Sequence, residues 1–173
     1  LRNGELLIAA RSDSAGSLQP GWVRTWIPQG FLWSRFDRFA ASDGGATKRF
    51  GETLAASGNY AIAGSSRNND FGQYSGSAYI FLRGSTGWSQ QAKLLPSDPA
   101  AFDEFGIGVA IDGNEAMVGA RSDDDGGSQS GSVYVFRRNG TAWPQQQKLV
   151  AADDATKDFF GSAIDIDGSY AII

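Results

Sequence analysis

The 173-residue chain repeats itself at a fixed interval of 55 residues, with no insertion or deletion between copies. Phe50-Gly51, Phe105-Gly106 and Phe160-Gly161 form one set of landmarks, and Trp33, Trp88 and Trp143 form another. Ser75-Gly76-Ser77-Ala78-Tyr79-Ile80-Phe81 returns as Ser130-Gly131-Ser132-Val133-Tyr134-Val135-Phe136, and Asp43 returns as Asp98 and Asp153. A period of this length means an array of supersecondary units. None can bury a core alone, so neighbours must stack. Both termini fall inside a unit, with Leu1 aligned to Ile111 and Ile173 to Val118, which predicts a fragment or a processed piece.

Each unit reads as four short strands separated by turn chemistry. In the clearest copy, Gly108–Ile111 is the first strand and Asp112-Gly113-Asn114 a tight reversal. Ala116–Ala120 is the second strand, followed by a long polar loop, Arg121–Gly131. Ser132–Arg138 sets Val133 and Val135 against Tyr134 and Phe136, so both faces are apolar, as in a strand packed on two sides. Asn139-Gly140 reads as the centre of a hairpin turn, where both residues need positive φ. Trp143–Leu149 is the fourth strand, with Gln145-Gln146-Gln147 as an exposed outer edge. The first unit is a mixed copy. Glu5, Ala10, Arg11, Ser12 and Asp13 match Glu115, Ala120, Arg121, Ser122 and Asp123, but Pro20-Gly21-Trp22-Val23-Arg24-Thr25-Trp26 replaces most of the third-strand motif.

Four antiparallel strands in each 55-residue repeat, with aromatics at fixed positions, are the pattern of an all-β protein built of β-propeller blades. This divides the chain into a partial blade over 1–40, blades over about 41–95 and 96–150, and a partial blade over 151–173. Small residues at Ala63-Gly64 and Gly119-Ala120 suit strands that approach closely, and each Phe of the Phe-Gly pairs suits a wedge between blades.

Composition removes several function classes. There is no cysteine, so disulfides and thiolate metal sites are excluded, and no histidine, the commonest general base and transition-metal ligand. Net charge is −4, and residues 111–165 carry five Lys/Arg against nine Asp/Glu, which disfavours nucleic acid as a partner. No window has the uninterrupted apolar length of a membrane span.

The run FGIGVAIDGNEAMVGARSDDDGGSQSGSVYVF and its weaker copies resemble the FG-GAP repeat of integrin-α-type β-propellers. They are most similar to bacterial and environmental versions that end in a Trp-X-Gln-Gln strand. The resemblance is weak over residues 14–40 and good over 41–173. It implies a seven-bladed propeller, which at this repeat length needs about 385 residues. It also implies placement outside the cell or on its surface, a role in adhesion, and partner docking on the face carrying the 2–3 and 4–1 loops. Here those loops are Ser65–Gly76, Arg121–Gly131, Pro96–Glu104 and Ala151–Asp158.

The candidate sites lie mostly in these loops and in the hairpins. Integrin-like blades hold calcium in an Asp-X-Asp-X-Asp-Gly hairpin, but the hairpins here are shortened, and Asp165 and Asp167 come nearest. Asp123, Asp124 and Asp125 are consecutive carboxylates that a cation or a basic partner would relieve, while a solvated acidic loop is the plainer alternative. Calcium is thus the one metal the sequence suggests, at Asp123, Asp125, Asp165 and Asp167, and no cofactor is required. The Asp43, Asp98 and Asp153 set reads either as ligand-binding carboxylates or as caps on backbone N–H groups of their own loops. Trp33, Trp88 and Trp143 read as sugar platforms or as packing between blades. Asp70, Asp124 and Trp22 are candidates for contact with a ligand. Asn139-Gly140-Thr141 fits an N-glycosylation sequon.

The expected function is a non-catalytic extracellular adhesion or recognition module for a protein or glycan. Two alternatives stand beside it: a structural protein whose incomplete blades are completed by other copies of itself, and a polysaccharide-active enzyme.

Overall fold

The computed structural model describes residues 6–10, 21–45, 47–153 and 155–173. Of the residues on which the register of the first unit rests, Glu5, Arg11, Ser12 and Asp13 lie outside them. All regular elements of the described residues are β-strands, and none is a helix long and apolar enough to cross a membrane.

The strands form consecutive antiparallel meanders. The first sheet holds β1 (Leu6–Ala10), β2 (Trp22–Gln29) and β3 (Leu32–Phe39). The second holds β4 (Leu54–Ser57), β5 (Tyr60–Ser65), β6 (Ser77–Arg83) and β7 (Trp88–Leu94). The third repeats it with β8 (Phe105–Asp112), β9 (Glu115–Ala120), β10 (Ser132–Arg137) and β11 (Gln145–Leu149). A final pair, β12 (Asp165–Asp167) and β13 (Tyr170–Ile172), begins another sheet. The second and third sheets are the four-stranded blades that the repeat predicts.

Apolar residues on both faces of the central strands explain why the sheets stack. Ala61, Ala63, Tyr79 and Phe81 face the first sheet and join Val23 and Phe39 in one core cluster. The alternate residues Ile62, Ala78 and Ile80 join Val118, Tyr134 and Phe136 of the third sheet in the other. Phe50 and Phe105 are fully buried in these two layers, and each ring meets the Tyr and Phe of the following third strand edge-on. Burying one such ring contributes about 2–3 kcal/mol.

The glycines of the second strands, Gly64 on β5 and Gly119 on β9, have a separate reason. A Cβ on Gly64 would lie 2.0 Å from the Gly106 carbonyl oxygen, and one on Gly119 would lie 1.9 Å from that of Gly161. Backbone of one sheet therefore rests directly on backbone of the next, which only glycine permits. Parallel bridges Gly76–Phe105 and Gly131–Phe160 continue this contact.

Two local expectations are corrected. The β10–β11 turn centres on Gly140-Thr141, closed by the reciprocal pair Asn139 and Ala142, and only Gly140 has positive φ. That is the requirement of a II′ turn and not the I′ turn that Asn139-Gly140 suggests. The fourth strand also starts at Gln145, not Trp143, because Pro144 has no N–H to donate to the ladder. Each outer strand then slips by one residue against its neighbour, at Thr25/Trp26, Ile80/Phe81 and Val135/Phe136. A bulge of this kind twists an exposed edge away from further pairing.

Candidate functional site

The 2–3 loops and the 4–1 loops lie together at one end of the sheets, joined by a short parallel ladder. Phe102, Glu104 and Phe105 donate their backbone N–H groups to Gln73, Tyr74 and Ser75 at 2.7, 2.9 and 3.2 Å. One repeat later Lys157, Phe159 and Phe160 donate to Ser128, Gln129 and Ser130 at 2.9, 3.1 and 2.8 Å. The ladder holds non-glycine residues in the left-handed region, including Tyr74, Phe102, Glu104, Gln129 and Phe159. Such a conformation costs about 1 kcal/mol per residue, and the ladder offsets it. One result is that Phe102 stands 54% exposed on a fixed backbone.

Beneath each loop pair is a polar core that recurs with the repeat. The Tyr79 hydroxyl donates to Asp43 Oδ1 at 2.8 Å and accepts from Asn68 Nδ2 at 2.8 Å. Lys93 Nζ bridges Asp43, at 2.5 Å, and Asp70. In the next blade the Tyr134 hydroxyl lies 2.9 Å from Asp98 Oδ1, and Lys148 Nζ contacts Asp98, Asp123 and Asp125 at 2.8, 3.0 and 2.5 Å. Asp43 and Asp98 thus serve as acceptors for a tyrosine and a lysine from the following strands, more than as loop caps. Asp153, the third of their set, is exposed.

The electrostatics follow from this geometry. Burial pushes the Asp43 and Asp98 carboxyls up, but the lysine and tyrosine hydrogen bonds outweigh it and hold both below the usual carboxylate range. Burial and the Asp43 hydrogen bond push the Tyr79 phenol up to about 12. Burial and Asp123 push Tyr134 in the same direction. Burial works against the charged forms of Lys93 and Lys148, yet their carboxylate partners raise both. Asp103, buried beside this core with Asp123 and Asp124 nearby, rises to about 6, chiefly through burial.

The predicted site residues separate into three groups. Asp70, Asp123 and Asp125 belong to the polar core, where lysine ammonium groups stand among them. Asp124 is exposed and accepts the Gln129 N–H at 2.6 Å. Asp165 and Asp167 sit apart from these, at either end of β12. Among the described residues no group of three carboxylate, histidine or cysteine side chains is arranged to hold a metal ion. Trp22 lies on β2, half-buried, with the Arg24 guanidinium 4.9 Å from its ring centre. Asn139 is exposed in the outer turn. Trp88 packs on Phe39 and Trp143 on Tyr60, both across blades, whereas Trp33 is half-exposed.

Sequence reasoning missed Lys93 and Lys148. Their signal was available, since they are 55 residues apart and each lies 14 residues after a repeat tyrosine. It also missed two cavities on the loop face. One, of about 510 Å³, is lined by Tyr74, Phe102, Glu104, Arg121, Gln129 and Phe159. The other, of about 700 Å³, is lined by Thr47, Arg49, Arg67, Asn69, Gln73 and Tyr74.

Stacked four-stranded meanders with backbone-on-backbone glycine contacts define β-propeller blades. The FG-GAP repeat family model matches residues 33–81, 88–136 and 143–173, and the chain belongs to that family. Each match begins at a repeat tryptophan. One sequence repeat therefore supplies the outer strand of one sheet and inner strands of the next, covalently tying neighbouring blades. No curated protein matches the chain. FG-GAP repeats occur in adhesion- and recognition-type propellers, commonly extracellular or on the cell surface, and are typically non-enzymatic.

Proposed function

We propose that this chain is a non-catalytic, extracellular recognition module that binds a protein or glycan ligand through its loop face. The exposed aromatic side chains there carry the proposal. Phe71, Phe102 and Phe159 are 50%, 54% and 36% exposed. The last two stand on ladder-locked loops beside a cavity. Rigid aromatic anchors around a concavity lose little conformational freedom on binding, which is why they recur at recognition surfaces.

The test is binding of the purified chain to a panel of immobilised extracellular-matrix proteins and glycans, repeated with Phe102→Ser and Phe159→Ser together. Selective binding that the double variant loses, with its melting temperature unchanged, is the expected result. No binding across the panel, or binding indifferent to the double variant, overturns the proposal.

A second reading, association between copies, is favoured by apolar side chains on the two end sheets. Leu32 is 74% exposed on β3, and Tyr170 and Ile172 are 82% and 76% exposed on β13. Particle mass that grows with concentration supports it, and mass fixed at that of one chain removes it.

A further inference from the structure

The larger cavity, lined by Arg49 and Arg67, is the smaller one displaced by one repeat. Arg49 stands at the repeat position of Glu104, Arg67 at that of Ser122 and Tyr74 at that of Gln129. The shift in residue type changes the charge. In the later cavity Arg121 Nε donates to Glu104 Oε2 at 2.6 Å, so the pair neutralises itself. In the earlier one Arg49 Nη1 is held by Glu52 Oε1 at 2.9 Å, but no carboxylate pairs with Arg67 among the described residues. The Arg67 guanidinium lies 4.9 Å from the Tyr74 ring centre, and its Nε is buried without an acceptor. Stacking on the ring fixes the plane of the guanidinium and orders it before any ligand arrives.

We propose that this cavity binds a sugar acid, with the uronate carboxylate on Arg67 and the ring hydroxyls on Thr47, Asn69 and Gln73. The proposal rests on the loop-face reading above and names its ligand class. An unpaired, planar, pre-ordered guanidinium recognises a carboxylate in two-pronged fashion. The remaining lining chooses among carboxylate ligands. Asn69 Oδ1 already accepts the Tyr74 N–H at 2.8 Å, which turns its amide NH₂ into a donor. Gln73 adds a second amide and Thr47 a hydroxyl. A lone aspartate or glutamate side chain would leave most of the roughly 700 Å³ empty and these groups without partners. A pyranose ring bearing one carboxylate satisfies the guanidinium and offers hydroxyls to all three. The volume falls within the range of about 300–1,000 Å³ usual for small-ligand sites.

Isothermal titration of the chain with methyl glucuronide, methyl glucoside and N-acetylglutamate N-methylamide tests this. The glucuronide is expected to bind, with the other two at least about tenfold weaker. Arg67→Gln is expected to weaken glucuronide binding at least about tenfold. Arg67→Lys, which keeps the charge and loses the planar fork, should fall between, and Arg121→Gln in the later cavity should leave affinity unchanged. No glucuronide binding, equal affinity for the neutral glucoside or the glutamate derivative, or an Arg67→Gln variant that binds normally would each overturn the assignment. Ligand capture through Phe102 and Phe159 without glucuronide binding removes the sugar-acid assignment alone and leaves the loop-face reading intact.

Discussion

Asp123 Oδ2 lies 2.8 Å from the hydroxyl oxygen of Tyr134, at the repeat position where Asn68 instead offers its Nδ2 to Tyr79. The difference is chemical. In the second sheet Asn68 donates to Tyr79 and Tyr79 donates to Asp43, so each contact has a proton. In the third, the single Tyr134 proton faces two carboxylates, Asp98 and Asp123, and Asp123 keeps only 4% side-chain exposure. Lys148 partly compensates by contacting both and Asp125 as well. The same blade geometry thus gives the tyrosine hydroxyl a donor and an acceptor in one copy and two acceptors in the next.

Asp123→Asn should therefore stabilise the chain by about 1 kcal/mol at neutral pH. It gives Tyr134 a donor partner and removes a buried charge, while Lys148 retains Asp98 and Asp125. The reverse change, Asn68→Asp, should cost about 1–3 kcal/mol. Denaturant unfolding of both variants against the parent checks the pair, and destabilisation by Asp123→Asn would contradict the excess-acceptor account.

Acid should stabilise this protein before it destabilises it. The Asp103 carboxyl rises to about 6 in the folded state, so folding favours its protonated form. Its contribution is fully present below the unfolded value near 3.8 and is lost as pH rises through about 6. Asp43 and Asp98 are lowered, so theirs is present above 3.8 and lost only below that value. Between the two limits Asp103 dominates, and up to about 3 kcal/mol is at stake. The melting temperature should fall from pH 4.5 to pH 7. Asp103→Asn should flatten that slope, since its amide oxygen still accepts the Ala100 N–H, which reaches Asp103 Oδ2 at 2.8 Å. An unchanged slope in the variant would remove Asp103 as the cause.

The fold was legible because its determinants recur in the sequence. Phe50 and Phe105, Gly64 and Gly119, and Tyr79 and Tyr134 each occupy one structural role, and a spacing of 55 exposes roles without any contact being known. The site was less legible for two reasons. Asp43 and Asp98 were visible as a set, but their partners Lys93 and Lys148 come from strands 50 residues away, and sequence shows recurrence, not proximity. The cavity charge depends on departures from the repeat, such as Arg49 for Glu104, and a search for likeness passes over them. The Asp123-Asp124-Asp125 run drew attention as a cation site because sequence could not show that Lys148 stands among its carboxylates.

Backbone contact between sheets should make Gly119 nearly irreplaceable. Gly119→Ala places a methyl group 1.9 Å from the Gly161 carbonyl oxygen, and backbone on both sides leaves it no room. A loss of at least about 3 kcal/mol, or failure to fold, is expected. Gly84→Ala is the control, since its nearest neighbour would be the Gly87 oxygen at 3.6 Å and its φ is not positive. It should change stability by less than about 1 kcal/mol. Comparable losses in the two variants would show that helpless crowding at Gly119 is not what holds the sheets in register.

The repeat tryptophans should differ in energetic weight although they occupy one sequence position. Trp143 is 6% exposed, meets the Tyr60 ring edge-on at 5.6 Å and donates its Nε1–H to Gln91 at 2.8 Å, so it clamps the third sheet to the second. Trp33 is 50% exposed on the first sheet. Trp143→Ala should cost about 3–5 kcal/mol, the usual range for emptying a large aromatic from a packed layer. Trp33→Ala should cost less than about 1 kcal/mol, as expected for a side chain that already faces solvent. Unfolding followed by intrinsic fluorescence and by circular dichroism separates the outcomes. Equal losses at the two positions would mean that Trp33 is covered in solution by another β-sheet, which ties its energetic weight directly to how the end blade is capped.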